Sequence, residues 1–168
     1  MKLTKMGISV AAAVAALLFA TFGTAMASAP TAADGTFTQT AVTGFEIRIA
    51  GANVIIEQTT QGVISGTLSG TIEDTVRVVI HSDGTFEAKG TTICACSVDG
   101  KQGLVEFAVT DQGEQISPDS SRFTGRAVIT RTTGDLSGLS GRLDIAGTVD
   151  IPSGLSTIGY SGHIHLHP

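Results

Sequence analysis

The chain has 168 residues, 42% hydrophobic and 15% charged, with a formal net charge of −5. That length suits one domain with its own core. Its acidic residues are scattered without any run of like charges, which argues against nucleic acid and anionic membrane as partners.

The chain opens on "MKLTKMG", with two lysines and no acid, continues with the apolar "ISVAAAVAALLFATF", and reaches Ala25-Met26-Ala27. A basic n-region, an apolar h-region and an A-x-A site predict a secretory signal peptide over 1–27. The apolar run is alanine-rich and short for a membrane span, so an anchor is the lesser reading. No cysteine follows the cleavage site to carry a lipid. Loss of Lys2 and Lys5 with the leader leaves 8 basic against 15 acidic residues, a net charge of −7. The expected product is secreted or periplasmic and free of membrane, with a flexible N-terminus over 28–35 and a single domain over 36–168.

From residue 36 onward the pattern is β. Val, Ile and Thr dominate, apolar residues alternate with polar ones, and turn signals recur at short intervals. "FEIRI" (45–49) places Phe45, Ile47 and Ile49 on one face and Glu46 and Arg48 on the other. No later stretch sustains helical spacing.

Register tests the hairpins, because a slip of one residue swaps faces. In "VRVVIHSDGTFEA", a two-residue Asp83-Gly84 loop would set Val76, Val78 and Ile80 beside Glu87 and Lys89. A three-residue Ser82-Asp83-Gly84 loop sets them beside Phe86, Ala88 and Gly90, with Gly84 left-handed in a bulge, and pattern selects this one. Asp99-Gly100 is the preferred pair for a two-residue loop. It puts Val98 opposite Lys101, Cys96 opposite Gly103, Cys94 opposite Val105 and Thr92 opposite Phe107. One face then carries Phe86, Ala88, Gly90, Thr92, Cys94, Cys96 and Val98 with Val105, Phe107 and Val109; Glu87, Lys89, Ser97, Gln102 and Glu106 take the other.

Strands are predicted over 123–131 and 141–149, with Phe123, Ala127, Ile129, Leu143, Ile145 and Val149 inward. Between them Asp135 suits an N-cap, and Leu136 and Leu139 share one side of a helical turn near 135–140, closing one end of a barrel. Gly134, Gly138, Gly141 and Gly147 are architectural on this reading, not linker.

The run "GDLSGLSGRLDIAGTV", followed by "GYSGHIHL", resembles the closing segment of allene oxide cyclase/dirigent-like β-barrels, especially their secreted bacterial members. "CSVDGKQGLVEFAV" and "SSRFTGRAVITRTTGDLSGL" fit the same rhythm of hairpin, Gly-aromatic strand and Gly-Asp-Leu turn. The resemblance covers most of 36–168. It implies an all-β, eight-stranded antiparallel barrel, calycin- or dirigent-like, with an apolar lumen and a tendency to form homo-oligomers. The cyclases' catalytic and substrate-orienting residues have no matching position in this sequence.

Phe86, Thr92, Cys94, Cys96, Phe107 and Tyr160 are the expected lumen residues for an apolar small molecule. Cys94 and Cys96 share a face about 6.6 Å apart in an extended strand, at the outer reach of a disulfide. Buried thiols, a local disulfide favoured by export, and metal or intermolecular use all fit. "HIHLHP" sets His163, His165 and His167 on one face and Tyr160, Ile164 and Leu166 on the other. Neighbouring imidazoles about 6–7 Å apart suit Cu²⁺ or Zn²⁺; an exposed ladder or an oligomer contact competes with that reading. No G-x-S-x-G, H-E-x-x-H, P-loop or dinucleotide fingerprint appears, so no catalytic residue and no cofactor is assigned. The acids, including Asp83, Asp99 and Asp144, are placed in turns or on outer faces, and Arg131 near a rim.

Three functions fit. The first is a secreted non-enzymatic barrel that binds an apolar small molecule or a partner. The second is a cyclase or isomerase using the lumen, with Tyr160 as hydrogen-bond donor. The third is a structural or oligomeric surface protein with a filled barrel. A sealed, filled lumen would remove the first two together.

Overall fold

A computed structural model describes residues 29–167; the expected leader over 1–27 lies outside them. The strands are β1 (Thr31–Ala50), β2 (Asn53–Gly66), β3 (Ser69–Ile80), β4 (Thr85–Val98), β5 (Lys101–Ser117), β6 (Ser120–Thr132), β7 (Leu139–Asp150) and β8 (Leu155–Leu166). Each pairs antiparallel with its sequence neighbours, and β8 closes on β1 to complete an eight-stranded barrel. Among the described residues, one 3-10 turn spans Gly134–Leu136.

Period-two alternation makes this barrel. Inward residues of β4 and β5 are Phe86, Ala88, Thr92, Cys94, Cys96 and Val98 with Val105, Phe107 and Val109, all buried. The β4–β5 register is the expected one at Val98–Lys101, Cys96–Gly103, Cys94–Val105 and Thr92–Phe107. Asp99 (φ 49°) and Gly100 (φ 77°) give the two positive φ values of a type I′ turn. At the β3–β4 hairpin Ile80, Val78 and Val76 face Phe86, Ala88 and Gly90. His81 N–H donates to the Thr85 carbonyl at 2.8 Å and Gly84 N–H to the His81 carbonyl at 3.0 Å, leaving 82–84 as the loop. Gly84 sits at φ +84°, where only glycine is unstrained.

Leu68, Leu136 and Leu139 plug one end of the barrel. The helical turn that delivers the last two is capped differently from expectation. Thr133 holds the N-cap position without capping it; its Oγ1 accepts instead from Leu104 N–H at 3.3 Å. Asp135 is exposed inside it, and Ser137 Oγ donates to the Gly134 carbonyl at 2.8 Å instead.

Two further expectations change. Residues 31–35 are not a flexible lead-in. Thr31–Thr38 of β1 pair with Ile164–Thr157 of β8, which closes the barrel, and Ala33 is buried on the inner face. Small residues of low β-propensity in "TAADG" hid that strand.

The second change concerns "FEIRI". Phe45, Ile47 and Ile49 do share the lumen-side face, yet they are 60%, 57% and 80% exposed. Bulges between Gln39/Ala41 and Val42/Gly44 each add one residue, so inward parity is lost and then restored. Pairing with β8 ends at Thr38, while pairing with β2 continues to Ala50. The far half of β1 therefore runs past the barrel as a lip, carrying its inward face into solvent.

Candidate lumenal site

The polar centre of the lumen lies where β1 parts from β8. There Gln39 substitutes for lost ladder bonds: its Oε1 accepts from Ser156 N–H at 3.0 Å, and its Nε2 donates to Asp74 Oδ2 at 3.1 Å. Thr92 Oγ1 donates to Asp74 Oδ1 at 2.6 Å. Burial raises the Asp74 carboxyl above its ordinary pKa, and the bonds from Thr92 and Gln39 oppose that rise. Asp111, half-buried on β5, is pushed up to about 6, by burial first and by the charge of Asp74 second. Its cross-strand neighbour is Gly125, where a Cβ would lie 2.4 Å from the Asp111 Cβ. Glycine there leaves the carboxylate its space.

Sequence reasoning missed Gln39, Asp74 and Asp111 as lumenal groups. The signal was present in the alternation Ile72, Asp74, Val76, Val78, Ile80, and in Val105, Phe107, Val109, Asp111. The rule that acids belong in turns or outside overrode it. Asp83, Asp99 and Asp144 do lie at exposed positions, as does Arg131.

The expected lumen residues do not converge on one cavity. The space between Asp74, Asp111 and the apolar wall is about 40 Å³, and of the expected residues only Thr92 and Phe107 line it. Phe107 is fully buried in the barrel, edge-on to Phe37 at 6.4 Å, and Tyr160 also meets Phe37 edge-on at 5.1 Å. Phe86 sits at the flared end opposite Ile80. Cys94 and Cys96 are joined in a disulfide across Ala95, with a Cα–Cα distance of 5.2 Å, so the buried-thiol reading gives way. The strand shortens locally from its extended spacing to allow it.

Tyr160 is also committed. Its hydroxyl accepts from Leu68 N–H at 3.1 Å and donates to the Ser65 carbonyl at 3.2 Å, locking the β2–β3 turn over the closed end. The donor that a cyclase reading requires is therefore already in use. The histidines point outward as expected: His163 and His167 are exposed and His165 half-buried, with Ile164 buried behind them. The His165 and His167 rings stack, 6.1 Å between centroids and 7° between planes. Among the described residues no three His, Cys, Asp or Glu side chains gather as a metal-ligand set.

A surface concavity of about 890 Å³ lies across β4–β8 near Lys89, Thr110, Arg126 and Asp144. Arg126 and Arg142 approach Asp144 at 3.9 and 3.6 Å on this face. No protein family, curated protein or solved structure matches the chain.

Proposed function

We propose that this protein is an exported, non-enzymatic barrel with a filled lumen, which works through its surface as a structural or oligomeric component. The observation that carries the reading is the lumenal cavity of about 40 Å³. Small-molecule sites run to roughly 300–1,000 Å³, whereas one water takes about 30 Å³ of liquid. The space beside Asp74 and Asp111 suits a water molecule and not an apolar ligand. Resemblance to allene oxide cyclase/dirigent-like barrels is compatible with this function through their oligomers, not through their chemistry.

The test is a titration of the mature chain with an environment-sensitive apolar fluorophore and with medium-chain fatty acids, read by fluorescence and native mass spectrometry. A filled barrel gives no saturable one-to-one complex at micromolar concentration. A stoichiometric complex abolished by Val109→Phe, which narrows the cavity wall, would overturn the reading in favour of lumenal binding.

A further inference from the structure

The lip of β1 poses a problem that the rest of the molecule does not solve. Among the described residues, nothing pairs with β1 beyond Thr38 on the side away from β2. A long apolar strand edge is a pairing template, and proteins ordinarily blunt one with proline, lysine, an inward charge or a covering element. The segment Gly44–Ala50 has no proline, lysine, inward charge or, among the described residues, covering element; its two charges, Glu46 and Arg48, face outward, its bulges lie before it, and Phe45, Ile47 and Ile49 stand more than half exposed along it.

Backbone geometry fixes which groups are unpaired. Ala50 and Asn53 flank a two-residue loop, Gly51-Ala52, with Gly51 at φ +65°. Residues flanking such a loop bond to each other, and bonding direction alternates along an antiparallel strand. Ala50, Arg48 and Glu46 therefore turn their N–H and C=O toward β2. Phe45, Ile47 and Ile49 turn theirs toward the open side.

Charges point the same way. Glu46 lies beside Glu57 across the β1–β2 ladder, a like-charge pair, and Arg48 lies beside Ile55. The ion pairs among the described residues join Arg77–Glu57, Arg122–Glu114, Arg126–Asp144 and Arg142–Asp144, and include neither Glu46 nor Arg48. Glu57, the diagonal neighbour of Arg48, is engaged by Arg77, and Glu46 and Arg48 stand two residues apart on the same side of the strand.

We propose that two copies of this chain pair antiparallel through the free edges of β1, about a two-fold axis at Ile47. The sequence Phe-Glu-Ile-Arg-Ile is complementary to itself in that register. Glu46 meets Arg48 of the second copy and Arg48 meets its Glu46, while Phe45 meets Ile49 and Ile47 meets Ile47. Phe45, Ile47 and Ile49 exchange their open-side hydrogen bonds with the same residues of the other chain. A register centred on Glu46 or on Arg48 would set a like charge against itself, one centred on Phe45 or Ile49 would leave neither charge opposite its counterpart, and one centred between residues would oppose the pleat. The complementary arrangement is thus unique, and it joins the two lips into one continuous sheet.

This inference rests on the surface-acting reading above, and names the surface and its occupant. The test uses the mature chain, with mass measured by sedimentation equilibrium and folding checked by thermal melts. The wild type should be a dimer at micromolar concentration. Arg48→Glu and Glu46→Arg, both at exposed positions, should each weaken dimerisation tenfold or more without lowering the melting temperature of the monomer. The double swap Glu46→Arg/Arg48→Glu should restore it, and an equimolar mixture of the two single variants should form heterodimers. A monomeric wild type, or single variants that dimerise as well as the wild type, would overturn the pairing. Either result would leave the filled-lumen reading standing, since that falls only to a stoichiometric lumenal ligand.

Discussion

Asp111 places a carboxyl in the inward alternation of β5, where the sequence pattern is otherwise apolar. Its folded-state pKa, about 6, stands above the ordinary 3.8, so between those values the folded chain binds the proton more tightly than the unfolded one. The associated stability is present below pH 3.8 and is lost as pH rises through about 6. A shift of that size corresponds to at most about 3 kcal/mol of stability. Asp74 is shifted in the same direction. Asp111→Asn should therefore stabilise the barrel at pH 7.5 by about 1–2 kcal/mol and flatten the decline between pH 4 and 6, as read by urea unfolding across pH. A wild type whose stability rises through that interval would contradict the assignment. Parity alone would have placed both carboxylates inward; what the sequence concealed was that two acids can occupy a largely apolar lumen when glycine, hydroxyl and amide neighbours accommodate them.

Hairpins were the most legible elements, because turn chemistry and binary pattern had to agree. The 82–84 loop shows pattern prevailing over the commoner two-residue turn, and it makes a direct prediction. Gly84 lies at φ +84° with its nearest contact for a Cβ, Gln115, at 3.9 Å. Gly84→Ala therefore meets no clash, only left-handed strain, and should cost about 1 kcal/mol in chemical denaturation. A neutral outcome would mean that the loop adopts another turn. β1 was less legible, for a different reason. Alternation decides which face a side chain takes, but not how far the neighbouring strand extends. "FEIRI" was therefore divided correctly into two faces, without any signal that β8 stops short of it. Similarly, a Cys-x-Cys spacing in an ideal strand cannot report the local contraction that brings Cys94 and Cys96 within bonding reach.

At the scale of the whole molecule, the question is whether the lumen is a core or a container, and Phe107 decides it. It is the largest of the fully buried side chains and packs against Phe37 in the barrel. If this space is core, truncation should behave as core truncation does. Phe107→Ala should cost about 3–5 kcal/mol, since the surrounding strands are held by closed ladders and cannot collapse into the gap. The enlarged apolar space should then accept small aromatic compounds that the wild type excludes, as engineered apolar cavities of about 150 Å³ accept benzene. Thermal melts with and without saturating benzene or indole provide the measurement: a rise in melting temperature for the variant, none for the wild type. Should the variant prove too unstable to purify, Phe107→Leu makes a smaller space at a lower cost and permits the same comparison. If the wild type itself gains stability from the aromatic ligand, the lumen is already a container, and the surface-acting reading falls with the filled barrel on which it rests.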